Sequence, residues 1–284
     1  MPLPESLQPV RVTWQLWDAL WHPPRRHPLF HRLRDVPRAT HSTRAWLVLG
    51  LAGLLFGGIL LMSIALGGLT LVVIAGGLAL SSTLIGTRWV QAISGAIAQM
   101  HADGRYDLLA ISPLAGLGAM WGVAQGYVHR YDDIQRIGRV TRWLALFGLG
   151  LLVPAVLADW LIGASGQLTV ALLPIIGGSV LIGLDYRQTL VTAVLVGLLI
   201  PTWRMSATTT RLFASLAFVA LQAVIYALLA LFYVFLLLAL MAIIAPPLAN
   251  GIALVSGLGA YYLARDLILT GVLWGVLVRW RNHS

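Results

Sequence analysis

Two kinds of stretch alternate along this chain: long apolar runs of membrane length, and short polar islands between them. Ala45 to Thr87 carries no charge over 43 residues, and residues 212 to 264 carry none either. Another apolar run extends from Trp143 to Gly163, and a fourth from Leu168 to Trp203. Continuous apolar runs of about 20 residues are the mark of spanning helices, because 1.5 Å of rise per residue must cover a hydrocarbon core of about 30 Å. Barrel strands would show short alternating segments instead. The expected class is therefore all-α: a polytopic α-helical integral membrane protein.

The polar island at Ile97 to Pro113 interrupts this pattern most sharply. Before it, Val90, Ile93, Ile97 and Met100 recur at helical spacing, with Gln91, Ser94, Gln99 and His101 between them. A helix with one apolar side is expected there, ended by Gly104 as its C-cap. A second short helix is expected from about Asp107, stopping before Pro113 because proline disfavours helix in the residue preceding it. By physics alone the island reads equally well as a solvated connection or as a docking surface.

The run from Gly104 to Pro113 (Gly-Arg-Tyr-Asp-Leu-Leu-Ala-Ile-Ser-Pro) resembles the coupling segment of ATP-binding-cassette (ABC) exporter permeases. Those families carry a Gly-Thr-x-Glu-x-Leu-Leu-x-Thr-Pro-like pattern after the second span, on an amphipathic helix that docks onto the ATPase. Gly104, Asp107, Leu109, Ser112 and Pro113 match in type, with Leu108 beside them. Two positions depart: Met100 stands where the family usually has an acidic residue, and Arg105 where threonine is common. The resemblance implies a partner-coupling role for Gly104, Asp107, Leu108, Leu109, Ser112 and Pro113, a cytoplasmic ATP-binding subunit as partner, and a homo- or heterodimer of membrane subunits. Farther upstream, His27 to Arg34 is similar to the Asn-Pro-x-x-x-Arg-Glu-Leu start of some bacterial exporter permeases, without the glutamate.

Organisation follows from where the polar islands fall. Residues 1 to 44 form a basic, proline-punctuated head, expected to be cytoplasmic and interfacial. Within it Val10, Trp14, Trp17 and Trp21 share a stripe that suits an amphipathic N-terminal helix lying at headgroup level. No cleavable signal peptide is apparent, because the head lacks the short apolar core such a peptide needs. Residues 45 to 87 are long enough for a two-span hairpin with its turn near Ser63 to Gly68. Residues 88 to 142 hold the coupling-like segment, where Asp132 and Arg136 sit at i,i+4 spacing as a solvated helix face. Residues 143 to 284 supply the remaining spans and a cytoplasmic C-terminus, with Pro246-Pro247 dividing the long uncharged run.

Composition narrows the chemistry. Only 10% of the 284 residues are charged and 59% are hydrophobic, far from a soluble domain. The net charge is +9, and all nineteen basic residues are arginine. Without lysine the chain has neither a Walker A lysine nor a Schiff-base lysine, so it is not itself a P-loop ATPase; the ATP hydrolysis that the resemblance implies falls to a partner, and the chain itself is not expected to be an enzyme. Without cysteine it has no disulfide or thiol chemistry. None of the seven histidines falls in an expected span, and Glu5 is the one glutamate. Haem ligation, metalloprotease chemistry and Ser–His proteolysis are therefore not expected, and no cofactor or metal is.

The arginines also choose a topology. The head has seven, the central segment six, residues 204 to 211 two and the C-terminus two, while the turns near 63 to 68, 163 to 167 and 245 to 250 have none. The positive-inside rule then favours six spans with both termini cytoplasmic, in a bacterial cytoplasmic membrane whose anionic lipids, rather than nucleic acid, meet the basic loops. An eight-span alternative makes Asp185 to Arg187 a cytoplasmic turn. In the six-span reading Asp185 and Arg187 are intramembrane polar residues, expected to pair with each other or with a neighbouring span. Exporter membrane subunit is the function this sequence favours. A non-catalytic structural subunit of a larger bacterial membrane complex is the alternative.

Overall fold

Prolines, glycines and charges punctuate the chain where its helices stop. The computed structural model describes residues 12–22, 69–104, 115–130, 157, 161, 167–243 and 246–281, and these residues are all-helical or in turns, with no strand. Helix α1 covers Val12–Trp21, α2 Leu69–Ala102, α3 Ala115–Arg130 and α4 Gln167–Leu199. A 3-10 turn, Ile200–Trp203, leads into α5, Ala207–Met241, and α6, Pro246–Arg281, completes the set. The expected turn at Ser63 to Gly68, the span from Trp143, and residues 105–114 lie outside the described residues.

Three stretches are long and apolar enough to cross a membrane: Gly183–Trp203, Ala207–Leu236 and Gly259–Arg279, with mean hydropathies of 1.3, 2.4 and 1.4. They differ in surroundings. The window in α4 is 78% buried within the protein, whereas that in α5 is only 12% buried. Thus α4 is the central post, packed by α2, α6, α1 and α3, and α5 lies on the flank against α2 and α6. The outer face of α5 shows Leu212, Leu216, Leu228, Leu231, Phe235 and Leu238, a surface suited to hydrocarbon rather than water.

The long run from Leu168 to Trp203 resolves differently from the eight-span alternative. Asp185-Tyr186-Arg187 makes no turn, and α4 passes through it unbroken. Its 33 residues make a rod of about 50 Å. The physical reason is that all three side chains find partners on other helices, so the helix need not break to hydrate them. The real break comes at Pro201, where Arg204 takes a left-handed φ of 51° and donates its N–H to the Pro201 carbonyl at 3.0 Å. Ser206 then caps α5, accepting the Thr209 N–H at 3.3 Å. Pro246 opens α6, the division expected at Pro246-Pro247.

The core gathers Val90, Ile93 and Ile97 of α2 with Val194, Leu195 and Leu198 of α4, Met120 and Val123 of α3, and Leu269 and Leu273 of α6. Helix α1 joins it through Val12, Leu16, Trp17 and Leu20. This face differs from the tryptophan stripe of the sequence reading: Trp14 is exposed and Trp21 half-buried. The aliphatic positions of α1 face protein, and one flank of the stripe faces outward.

Candidate functional site

Helix α2 delivers the chain to the coupling-like segment. It stops where the sequence predicts, at Gly104, whose φ of +67° puts it in the left-handed region that glycine enters without strain. Its N–H donates to the His101 carbonyl at 3.2 Å, and the Asp103 N–H to the Gln99 carbonyl at 2.9 Å, closing the last turn. Asp107, Leu108, Leu109, Ser112 and Pro113 lie outside the described residues.

The second candidate is assembled from three pairs of polar residues one helical turn apart: Asp185 and Thr189 on α4, Gln222 and Tyr226 on α5, Tyr261 and Arg265 on α6. All but Tyr226 are buried, and Arg265 is among the largest fully buried side chains. The Arg265 guanidinium makes an ion pair with Asp185 through Nη1 and also donates to the Tyr261 hydroxyl. Its Nη2 donates to Thr189 Oγ1 at 2.7 Å and to Gln222 Oε1. Asp185 Oδ1 receives, besides the guanidinium, the Tyr226 hydroxyl at 2.8 Å and the Tyr261 hydroxyl. With the Tyr226 proton committed to Asp185, Ser82 of α2 is the donor across the 3.0 Å between the two hydroxyls. Both tyrosine rings flank the guanidinium at 5.4 Å. Four helices therefore meet at one neutral charge pair.

Saturation is incomplete. Asp185 Oδ2, Arg265 Nε and Gln222 Nε2 are buried with no hydrogen-bond partner. Each such group carries a desolvation cost of about 1–3 kcal/mol. Breaking the pair from one side would cost about 3–5 kcal/mol, because the surviving charge would be stranded. The arrangement ties α4, α5 and α6 together through one ion pair and its hydrogen bonds. Among the described residues no group of three histidines or carboxylates is placed to hold a metal ion.

Arg187, the other intramembrane residue singled out from sequence, faces α1. Its guanidinium lies 4.8 Å from the Trp14 ring centroid and 5.6 Å from that of Trp17, in cation–π range. The sequence reading named Asp185 but not Arg265, Tyr226, Tyr261 or Gln222. A usable signal was present: a buried acid demands a base, and Arg265 lies one turn after Tyr261 in an otherwise apolar run.

One further junction involves α1. Asp266, next to Arg265, accepts the Thr13 N–H at 2.9 Å and the Thr13 hydroxyl. At the other end Gln125 Nε2 donates to the Ala19 carbonyl at 2.6 Å and His129 Nε2 to the Leu20 carbonyl at 2.7 Å. Both ends of α1 are thus capped by side chains from other helices, satisfying groups a short helix leaves open. Comparison with known proteins finds no matching family model, no matching curated protein and no matching solved structure.

Proposed function

We propose that this chain is the membrane subunit of an ABC-type exporter, working as a dimer with a separately encoded ATP-binding subunit. The observation that carries the reading is the end of α2. At 34 residues α2 is about 51 Å long, some 20 Å more than a bilayer core. Toward its C-terminal end Trp89, Val90, Ile93, Ile97 and Ala98 are buried, and the helix packs against α3, α4 and α5. The rod then stops at left-handed Gly104, the first residue of the coupling-like segment. A rigid helix that leaves the bilayer and hands the chain to a docking segment is suited to carrying movement from an ATPase into the spans. In this reading the chain makes six traversals of a bacterial cytoplasmic membrane, both termini lie on the arginine-rich side, and Asp107, Leu108 and Leu109 meet the partner.

A second reading, a non-catalytic structural subunit, draws support from the closed junction at Asp185 and Arg265, where fully buried side chains fill the space between α4, α5 and α6. The two readings part on the coupling segment. Truncating a well-buried contact residue commonly costs more than about 2 kcal/mol of binding. Asp107→Ala and Leu109→Ala should therefore uncouple ATP hydrolysis from transport and leave membrane insertion intact. Both are checked by ATPase assay of complexes isolated in mild detergent; unchanged coupling in both variants would favour the structural subunit.

A further inference from the structure

The ties on α1 lead to two different places. At its C-terminal end they come from α3, which begins at Ala115, just after Pro113 of the coupling-like segment. At its N-terminal end the tie is Asp266, the neighbour of Arg265 in the four-helix charge junction. Between them, Trp14 and Trp17 hold Arg187, two residues after Asp185. A ten-residue helix about 15 Å long thus runs from the second half of α3, where Gln125 and His129 lie, to Asp266, the neighbour of Arg265.

We propose that α1 is a transmission strap: movement of α3 reaches the Asp185–Arg265 junction through it. Helix physics explains why so short an element can carry a signal. Nucleation is costly, and an isolated helix of this length is marginal in water, so α1 owes its helicity to its attachments. Releasing one end therefore weakens the whole element, including the contacts at the other end. The attachment is also incompletely satisfied: Asp266 Oδ2 and Gln15 Oε1 are buried without a partner, which keeps release within reach. The strap rests on the exporter reading for what drives it, but its mechanics can be measured without an ATPase.

The chain has no cysteine, so Ser82→Cys places a single thiol at the charge junction. The full-length variant in detergent is labelled with a charged, water-soluble methanethiosulfonate. Cutting the far end with Gln125→Leu and His129→Leu should raise the labelling rate about tenfold, about threefold for each of the two hydrogen bonds removed. Thr13→Val, at the near end, should also raise it. Combining near and far cuts should give no more than the larger single effect, since a strap already released cannot be released again. His129→Gln, which keeps an N–H donor, should label like the parent. Should the far-end pair fail to fold, His129→Leu alone makes the same test, with about a threefold rise expected. A labelling rate unmoved by the far-end cut, or near and far effects that multiply, overturns the proposal. Strap behaviour in a chain that recovers no ATPase would leave the strap standing and remove the exporter reading.

Discussion

Gly86 and Gly95 show how differently two glycines on one helix can be constrained. A Cβ at Gly86 would lie 2.3 Å from Phe218 Cζ, on a ring that is wholly buried. A Cβ at Gly95 would lie 2.1 Å from Arg211 Nε, on an exposed and flexible side chain. Gly86→Ala should therefore cost about 1–3 kcal/mol by overpacking, while Gly95→Ala should cost well under half of that. Thermal unfolding in one detergent compares them, and equal losses would show that the Phe218 contact yields. At the charge junction, Asp185→Ala should cost about 3–5 kcal/mol by stranding Arg265, and Asp185→Leu with Arg265→Met should cost less than that single change. Wild-type stability in Asp185→Ala would mean that water reaches Arg265. Asp185 was legible from sequence because it is a charge in an apolar run. Its partner was not, because hydrophobic periodicity fixes which residues share a helix face, whereas pairing depends on how helices cross. Gln222 and Tyr226 look like ordinary interfacial polar residues until α5 is set against α4.

Among the elements, α2 was the most legible. Val90, Ile93 and Ile97 announced its buried face, and Gly104 its end, both local properties of the chain. Gly104→Ala should cost about 1 kcal/mol, because an L side chain pays for the left-handed conformation, whereas Gly104→Asn should cost less; unfolding midpoints check the order. Helix α4 was harder to read. Its 33 residues exceed what one upright crossing needs, and the eight-span alternative therefore put a turn at Asp185 to Arg187. The unbroken helix exists because Asp185 meets Arg265, and Arg187 meets Trp14 and Trp17, across elements distant in sequence. For α1 the tryptophans dominated the pattern by size, while the buried face belongs to Val12, Leu16 and Leu20. Amphipathic scoring cannot distinguish a helix lying on lipid from one lying on protein.

For the whole molecule, the all-helical class was legible from the long continuous apolar runs, and among the described residues three helices are long and apolar enough to cross a membrane. Orientation belongs to this scale too. A single Ser165→Cys should react with an impermeant thiol reagent in intact cells, and Ser112→Cys only after the membrane is opened; labelling of Ser112→Cys in intact cells would reverse the topology. The central claim, an exporter membrane subunit, is tested most directly by isolating the full chain from its native membrane in mild detergent and assaying what accompanies it. The account predicts a stoichiometric nucleotide-binding subunit and ATP hydrolysis that Leu109→Ala uncouples. A stable complex recovered without any ATPase would contradict it.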